Sequence, residues 1–268
     1  MTNNWQEASA WWGNFTIDVE ENLRWRIGPL TFIVRRLRNE LQVAFEQSDH
    51  VADEDFTWEI SATDQGPETL ENNVRYVFRE TTELLTIKPC LVDRPIISRP
   101  LTPFNLIGGE ETTLFVSTPL WVELCVGNPP KTLTEFAIQR PSDTWFGPST
   151  REGELCYASN THCRLNLEDL PKRSHRAITP LVIRNLAKSS LLIERLKLAT
   201  PQLPLYVSSD KQLWTPKVTL IRKQDGEVAD IKIDKTPPEE ANETVQLNEA
   251  RKTQSDGALN RVFNAVFR

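Results

Sequence analysis

Residues 31–46 read TFIVRRLRNELQVAFE. In the second half, Leu41, Val43 and Phe45 alternate with Gln42 and Ala44. Successive Cβ atoms of a strand point to opposite faces, so this spacing makes one face of a strand apolar. Asn39-Glu40 stands between the run Thr31–Arg38 and the run Leu41–Glu46, and two such runs joined by polar turn residues predict an antiparallel hairpin.

The same grammar recurs outward along the chain. Val74, Tyr76 and Phe78 alternate with Arg75 and Val77; Val122, Leu124 and Val126 alternate with Glu123 and Cys125; Val218 and Leu220 flank Thr219. Asp225-Gly226 separates Lys217–Lys223 from Val228–Asp234, and Asp-Gly between alternating runs is a strong hairpin signal. Eighteen prolines, spread through the chain, limit long helices. The expected fold is all-β: a β-sandwich, either one large or two consecutive antiparallel sandwiches, with a short amphipathic helix at the C-terminus. Asn3–Trp12 is a further candidate for a short turn or helix, with Trp5, Ala8 and Trp12 on one side.

The proline-dense stretch Lys88–Pro103 is the best crossover between layers. It sets the expected division: an N-terminal β-domain over 1–100, a C-terminal sandwich over 101–236, a polar linker over 237–256 and a docking helix over 257–268. The length of 268 residues suits one large domain or two small ones. With 39% apolar and 25% charged residues the chain can build a core. Its net charge of −6 argues against nucleic acid as a partner, since phosphate neutralisation needs a basic surface. No apolar run is long enough to span a membrane, and Met1–Gly13 lacks the features of a secretory signal, so a cytoplasmic location is expected. Four cysteines are too few for a disulfide scaffold, which agrees with that location.

Charge is uneven. Glu46–Glu71 holds nine acids and no lysine or arginine, whereas Arg164–Lys197 holds eight bases and three acids. Such runs read first as solvated faces, and second as complementary patches that orient a partner.

Chemistry is sparse. Cys156, His162 and Cys163 lack the close pairing of a structural zinc site, so no metal is expected. Phosphate-loop, dinucleotide and nucleophile-elbow patterns are absent, so no cofactor is expected and no catalytic residue is assigned. Asp143 and Glu152 beside Trp145 form the one candidate ligand site, suited to a sugar or a small acid. The plainer account of that stretch is a turn at Trp145–Pro148 and another at Arg151–Glu154, leading into a buried strand Leu155–Ala158.

The C-terminus reads as a device. At 100° per residue, Leu259, Val262, Phe263, Val266 and Phe267 fall within about 140°, leaving Arg261, Asn264 and Arg268 opposite. A helix this short is not stable alone in water, so it must dock: on its own body, on another protein, on a neighbouring copy, or on a membrane interface through Phe263 and Phe267, for which two arginines are few, so that protein docking is preferred. Leu259, Val262, Phe263, Val266 and Phe267, with Arg261 and Arg268, are the candidate partner-binding residues.

Three segments carry a resemblance: Thr118-Pro119-Leu120-Trp121-Val122-Glu123, Asp143-Thr144-Trp145-Phe146-Gly147, and Gly153-Glu154-Leu155-Cys156-Tyr157-Ala158. Together with Trp12-Gly13 and the Trp25–Leu30 stretch, they resemble the prokaryotic family catalogued as domain of unknown function 432, over residues from about 10 to 235. That family brings no catalytic residues. Some members are encoded beside mechanosensitive channels of the small-conductance type. The resemblance therefore implies a soluble partner docked on the cytoplasmic part of such a channel, peripheral to the inner membrane. The expected function is a non-enzymatic binding or adaptor protein; the second expectation is a ligand-binding or hydrolytic sandwich.

Overall fold

The computed structural model describes residues 4–48, 57–147, 149, 151–224 and 230–253. In chain order the strands are β1 (Gly13–Thr16), β2 (Asn22–Ile27), β3 (Leu30–Arg36), β4 (Glu40–Gln47), β5 (Trp58–Ala62), β6 (Asn72–Val77), β7 (Leu84–Leu91), β8 (Ile96–Pro100), β9 (Phe104–Leu106), β10 (Glu111–Val126) and β11 (Lys131–Ala137). They continue as β12 (Asp143–Phe146), β13 (Glu154–Cys163), β14 (Arg176–Asn185), β15 (Leu191–Ile193), β16 (Leu196–Leu198), β17 (Leu205–Val207), β18 (Leu213–Trp214), β19 (Val218–Arg222), β20 (Asp230–Ile233) and β21 (Val245–Asn248). The protein is mostly β, in several sheets that include a strongly curled half-barrel. Among the described residues there is no α-helix, and no helix is long and apolar enough to cross a membrane. The N-terminal helical candidate reduces to a 3-10 turn, Asn4–Glu7. The amphipathic segment 257–268, with all of its candidate anchors, lies outside the described residues.

Two compact units divide the chain, and both are discontinuous in sequence. The first contains Met1–Cys90, Leu120–Arg140 and Arg173–His175; the second contains Leu91–Pro119, Pro141–Lys172 and Arg176–Arg268. The expected division into 1–100, 101–236, 237–256 and 257–268 is continuous in sequence, whereas these units are not. The long strand β10 passes from the second unit into the first at Pro119 and Leu120, and alternation within a strand carries no mark of such a passage.

The first unit is built on an antiparallel sheet in the order β5-β2-β3-β4-β6. The stretch 31–46 forms the β3–β4 hairpin as expected, with Phe32 opposite Phe45 and Val34 opposite Val43. Its turn sits one residue early: Leu37 N–H donates to Glu40 O at 2.8 Å, so Arg38 and Asn39 make the loop. Between β2 and β3 the connection is Gly28-Pro29, where Gly28 takes a left-handed φ of 53° that a side chain would resist. The apolar face is largely aromatic. Trp25 stacks on Phe32 at 4.8 Å, and Phe15 of β1 meets Trp25 edge-on at 5.4 Å. Phe136 of β11 stacks on Phe45 at 4.7 Å and meets Phe32 edge-on. These rings join the five-stranded sheet to β1 and β11. Trp11 is fully buried, and its indole N–H donates to Ser174 O at 2.9 Å.

The second unit centres on β14. This strand pairs antiparallel with Glu111–Pro119 of β10 and parallel with β18 and β19. A third parallel pair joins β13 to β8. The sheets are therefore mixed, not purely antiparallel, because an alternating pattern fixes which face is buried but not the direction of the neighbour. β19 and β20 pair antiparallel as predicted for the Asp225-Gly226 hairpin, whose turn lies outside the described residues. Val245–Asn248, inside the segment read as a polar linker, is strand β21 against β17. Backbone pairing at an edge asks little of the side chains, so its polar composition gave no warning.

Candidate functional site

The second unit carries a four-stranded sheet in the order β12-β13-β8-β16. The β12–β13 hairpin closes tightly because Gly147 and Gly153 face each other: a Cβ on Gly147 would lie 2.0 Å from Glu152 O, and one on Gly153 would lie 2.5 Å from Phe146 O. The strand runs through Phe146, so Trp145 and Phe146 belong to β12 and not to the expected turn.

Cross-strand register sorts the side chains into two faces. Thr144 lies opposite Cys156, Phe146 opposite Glu154, Ala158 opposite Ile97, and Ile97 opposite Lys197. These residues share one face with Arg99, two positions after Ile97. Ile97, Phe146 and Cys156 form a small buried apolar cluster there. It is roofed by charged side chains: the Arg195 guanidinium and the Lys197 ammonium each sit 5.8 Å from the centre of the Phe146 ring. Long basic side chains cover apolar surface with their stems while their heads remain polar. Lys197, 4% exposed, ion-pairs with Glu154. Arg195 donates to Trp145 O at 2.9 Å. Burial, and then the charge of Arg99, hold the Arg195 guanidinium below its ordinary range. Burial pushes the Cys156 thiol up to about 11, so it is no thiolate nucleophile at neutral pH.

Further along, β13 departs from regularity. Ala158 faces Ile97 and His162 faces Arg99, so three residues of β13 stand opposite the single Ser98 of β8. This is a β-bulge, and Asn160 at its apex takes a left-handed φ of 54°. The bulge is pinned from beneath by Arg176, 3% exposed. Its Nη2 donates to Ser159 O at 2.7 Å and Ser117 O at 3.0 Å, with the Ser159 and Thr161 hydroxyls at 3.4 and 3.3 Å. Ser159 Oγ also donates to Ser117 O at 3.2 Å.

The bulge opens a depression of about 310 Å³. Ile97 and Ala158 form its floor, and Arg99, Thr144, Asn160 and His162 stand around it. The residues singled out from sequence lie elsewhere or in other roles. Asp143 and Trp145 flank Thr144 on β12 and so point to the opposite face. Asp143 pairs with Arg94 at 3.3 Å, and Arg94 lies over the Tyr157 ring. Glu152 is in the hairpin turn, exposed. Of the metal candidates that were set aside, Cys156 and Cys163 are buried free thiols and His162 is exposed. Among the described residues no metal-binding group of His, Cys, Asp and Glu forms. The basic run 164–197 is not one surface: Arg176 and Lys197 are buried, and Arg184 pairs with Glu111 at 2.8 Å. Sequence reasoning missed Arg99, Asn160 and His162 as neighbours because a bulge leaves no periodic trace.

Fold and site together define a β-rich protein of mixed sheets, with a polar concavity built on a broken register. The chain belongs to the DUF432 family, described as "protein of unknown function", whose family model matches residues 11–268. The match takes in the C-terminal segment that the resemblance had left outside. No match was found among curated proteins or solved structures.

Proposed function

We propose that this chain is a non-enzymatic, cytoplasmic binding protein with a β-sandwich body that docks on a larger assembly. The partner implied by the family resemblance is the cytoplasmic part of a small-conductance-type mechanosensitive channel. The observation that carries the docking reading is an exposed apolar pair on the β12–β13 hairpin. Trp145 and Leu155 face each other across the strands and are 41% and 43% exposed. The Trp145 indole N–H is held by Ser149 O at 2.8 Å. A large aromatic side chain already fixed in position loses little entropy on binding, which is the character of an interface anchor. β12 is also the outer strand of its sheet. The amphipathic segment with Leu259, Phe263, Val266 and Phe267 supplies a second anchor in this reading.

The test is co-expression of the full chain with the channel, followed by co-migration in detergent. Trp145→Ala removes an anchor of the kind that contributes about 2 kcal/mol or more, so affinity falls by about thirtyfold. Deletion of 257–268 weakens the complex independently. Unchanged co-migration in both variants would show that neither surface docks.

A further inference from the structure

The bulged sheet gathers positive charge on one face, in a chain whose net charge is −6. Among the described residues, Arg99, Arg195 and Lys197 share that face, and Lys197 is already paired to the carboxylate of Glu154. Arg99 stands at the rim of the depression, exposed, and among the described residues no carboxylate lies within ion-pair distance of it. Arg195 is close enough for the two guanidiniums to disfavour each other. A bound anion would relieve that repulsion.

The hydrogen-bond donors around the depression point the same way. Thr144 comes from β12, Asn160 and His162 from the bulge of β13, and Arg99 from β8. Hydroxyl, amide, imidazole and guanidinium can all donate hydrogen bonds. Arriving from three strands, they suit the tetrahedral oxygens of a phosphate better than the planar pair of a carboxylate. The size of the depression, at the lower end for ligand pockets, admits a phosphate and a few carbon atoms. The bulge is also preorganised: Arg176 ties the Ser159 carbonyl and the hydroxyls of Ser159 and Thr161 to the neighbouring strand. Binding then costs little rearrangement.

We propose that the depression over the β13 bulge binds a phosphate group, free or carried on a small molecule, with Arg99 as its principal ligand and Thr144, Asn160 and His162 as further donors. The site is separate from the docking surface, because Trp145 and Thr144 are adjacent on β12 and point to opposite faces.

The experiment is titration of the full, isotope-labelled chain with inorganic phosphate and with glycerol 3-phosphate, followed by amide NMR at constant ionic strength set with chloride. Saturable shifts centred on 97–99, 144 and 158–162 are expected. Tighter binding of the ester identifies an esterified ligand, and equal binding identifies the free ion. Arg99→Gln, at an exposed position, weakens binding about tenfold or more, as expected for loss of a charge-assisted contact. Thr144→Val, which leaves every charge in place, gives a smaller loss and stands as the second variant. Absence of saturable shifts with either probe, or affinity unchanged in both variants, would overturn the proposal.

Discussion

The five-stranded sheet of the first unit and the four-stranded sheet of the second follow opposite rules. In the first, every neighbour is antiparallel, and the β3–β4 register runs without a break from Leu30 to Arg36. Its inner face is a run of aromatic rings. In the second, a parallel pair lies inside the sheet and the register breaks between Ala158 and His162. There a small cluster of Ile97, Phe146 and Cys156 stands in place of a run of rings, and the buried guanidinium of Arg176 on β14 ties the bulge. Regular pairing yields a stable body, and interrupted pairing leaves polar groups that must be satisfied from elsewhere. That is where a concavity with free donors can form.

The largest effect is expected at the ring in the centre of the regular sheet. Trp25 is fully buried and stacked between Phe32 and Phe15. Trp25→Ala leaves a large cavity and should cost about 3–5 kcal/mol. Denaturant unfolding followed by circular dichroism reads this directly. A cost below about 1 kcal/mol would mean that the aromatic stack does not hold the sheet.

The bulge gives the next largest effect. Arg176→Met keeps most of the stem and removes the Nη2 donor to the Ser159 carbonyl and one of the donors to the Ser117 carbonyl, which keeps the Ser159 hydroxyl. A hydrogen bond from a charged donor contributes about 1.5–3 kcal/mol. The more specific readout is local: amide exchange at 159–162 should rise well above that of β3 and β4, whose protection stays unchanged. Loss of protection shared equally by β3 and β4 would mean that Arg176 stabilises the chain as a whole and not the bulge.

The same contrast explains how much could be read in advance. The hairpin at 31–46 was legible to within one residue, because alternation and turn chemistry agree there, and local agreement is what a regular antiparallel pair requires. The mostly-β character followed from many such segments. The Arg99–His162 neighbourhood was not legible. It depends on a parallel pairing between strands more than fifty residues apart in sequence and on three residues facing one. Neither has a local signature. Arg176 and Arg222 were equally hidden: the first sits in a run that reads as a solvated face and the second in one arm of an expected hairpin, yet they are 3% and 1% exposed. Arg222 donates to Ser189 O and Ser190 O at 3.3 and 3.2 Å. A guanidinium has five donors, and a fold can bury one where loop carbonyls converge. Composition does not reveal where that happens.

The smallest effect concerns a charge at the border of the regular sheet. Glu40 of β4 accepts from Arg75 of β6, with Arg75 Nη2 at 2.7 Å from Oε2, and from Gln42 Nε2 at 2.7 Å. These bonds, the one from Arg75 first, lower its carboxyl from 4.5 to about 2. Arg75 is largely exposed, so solvent screens the pair and its contribution is modest. The sign is still fixed. Above about pH 4.5 the group is ionised both folded and unfolded, and the full contribution is present. Between 4.5 and 2 the unfolded chain takes up the proton first, so the stabilisation declines, and below about 2 it is gone. Glu40→Gln should therefore be less stable than the parent at pH 7, with the gap closing as pH falls through that window. A gap that stays constant down to pH 2 would mean that Glu40 acts through packing and not through its charge. The edge between β4 and β6 would then follow the same rule as the aromatic interior.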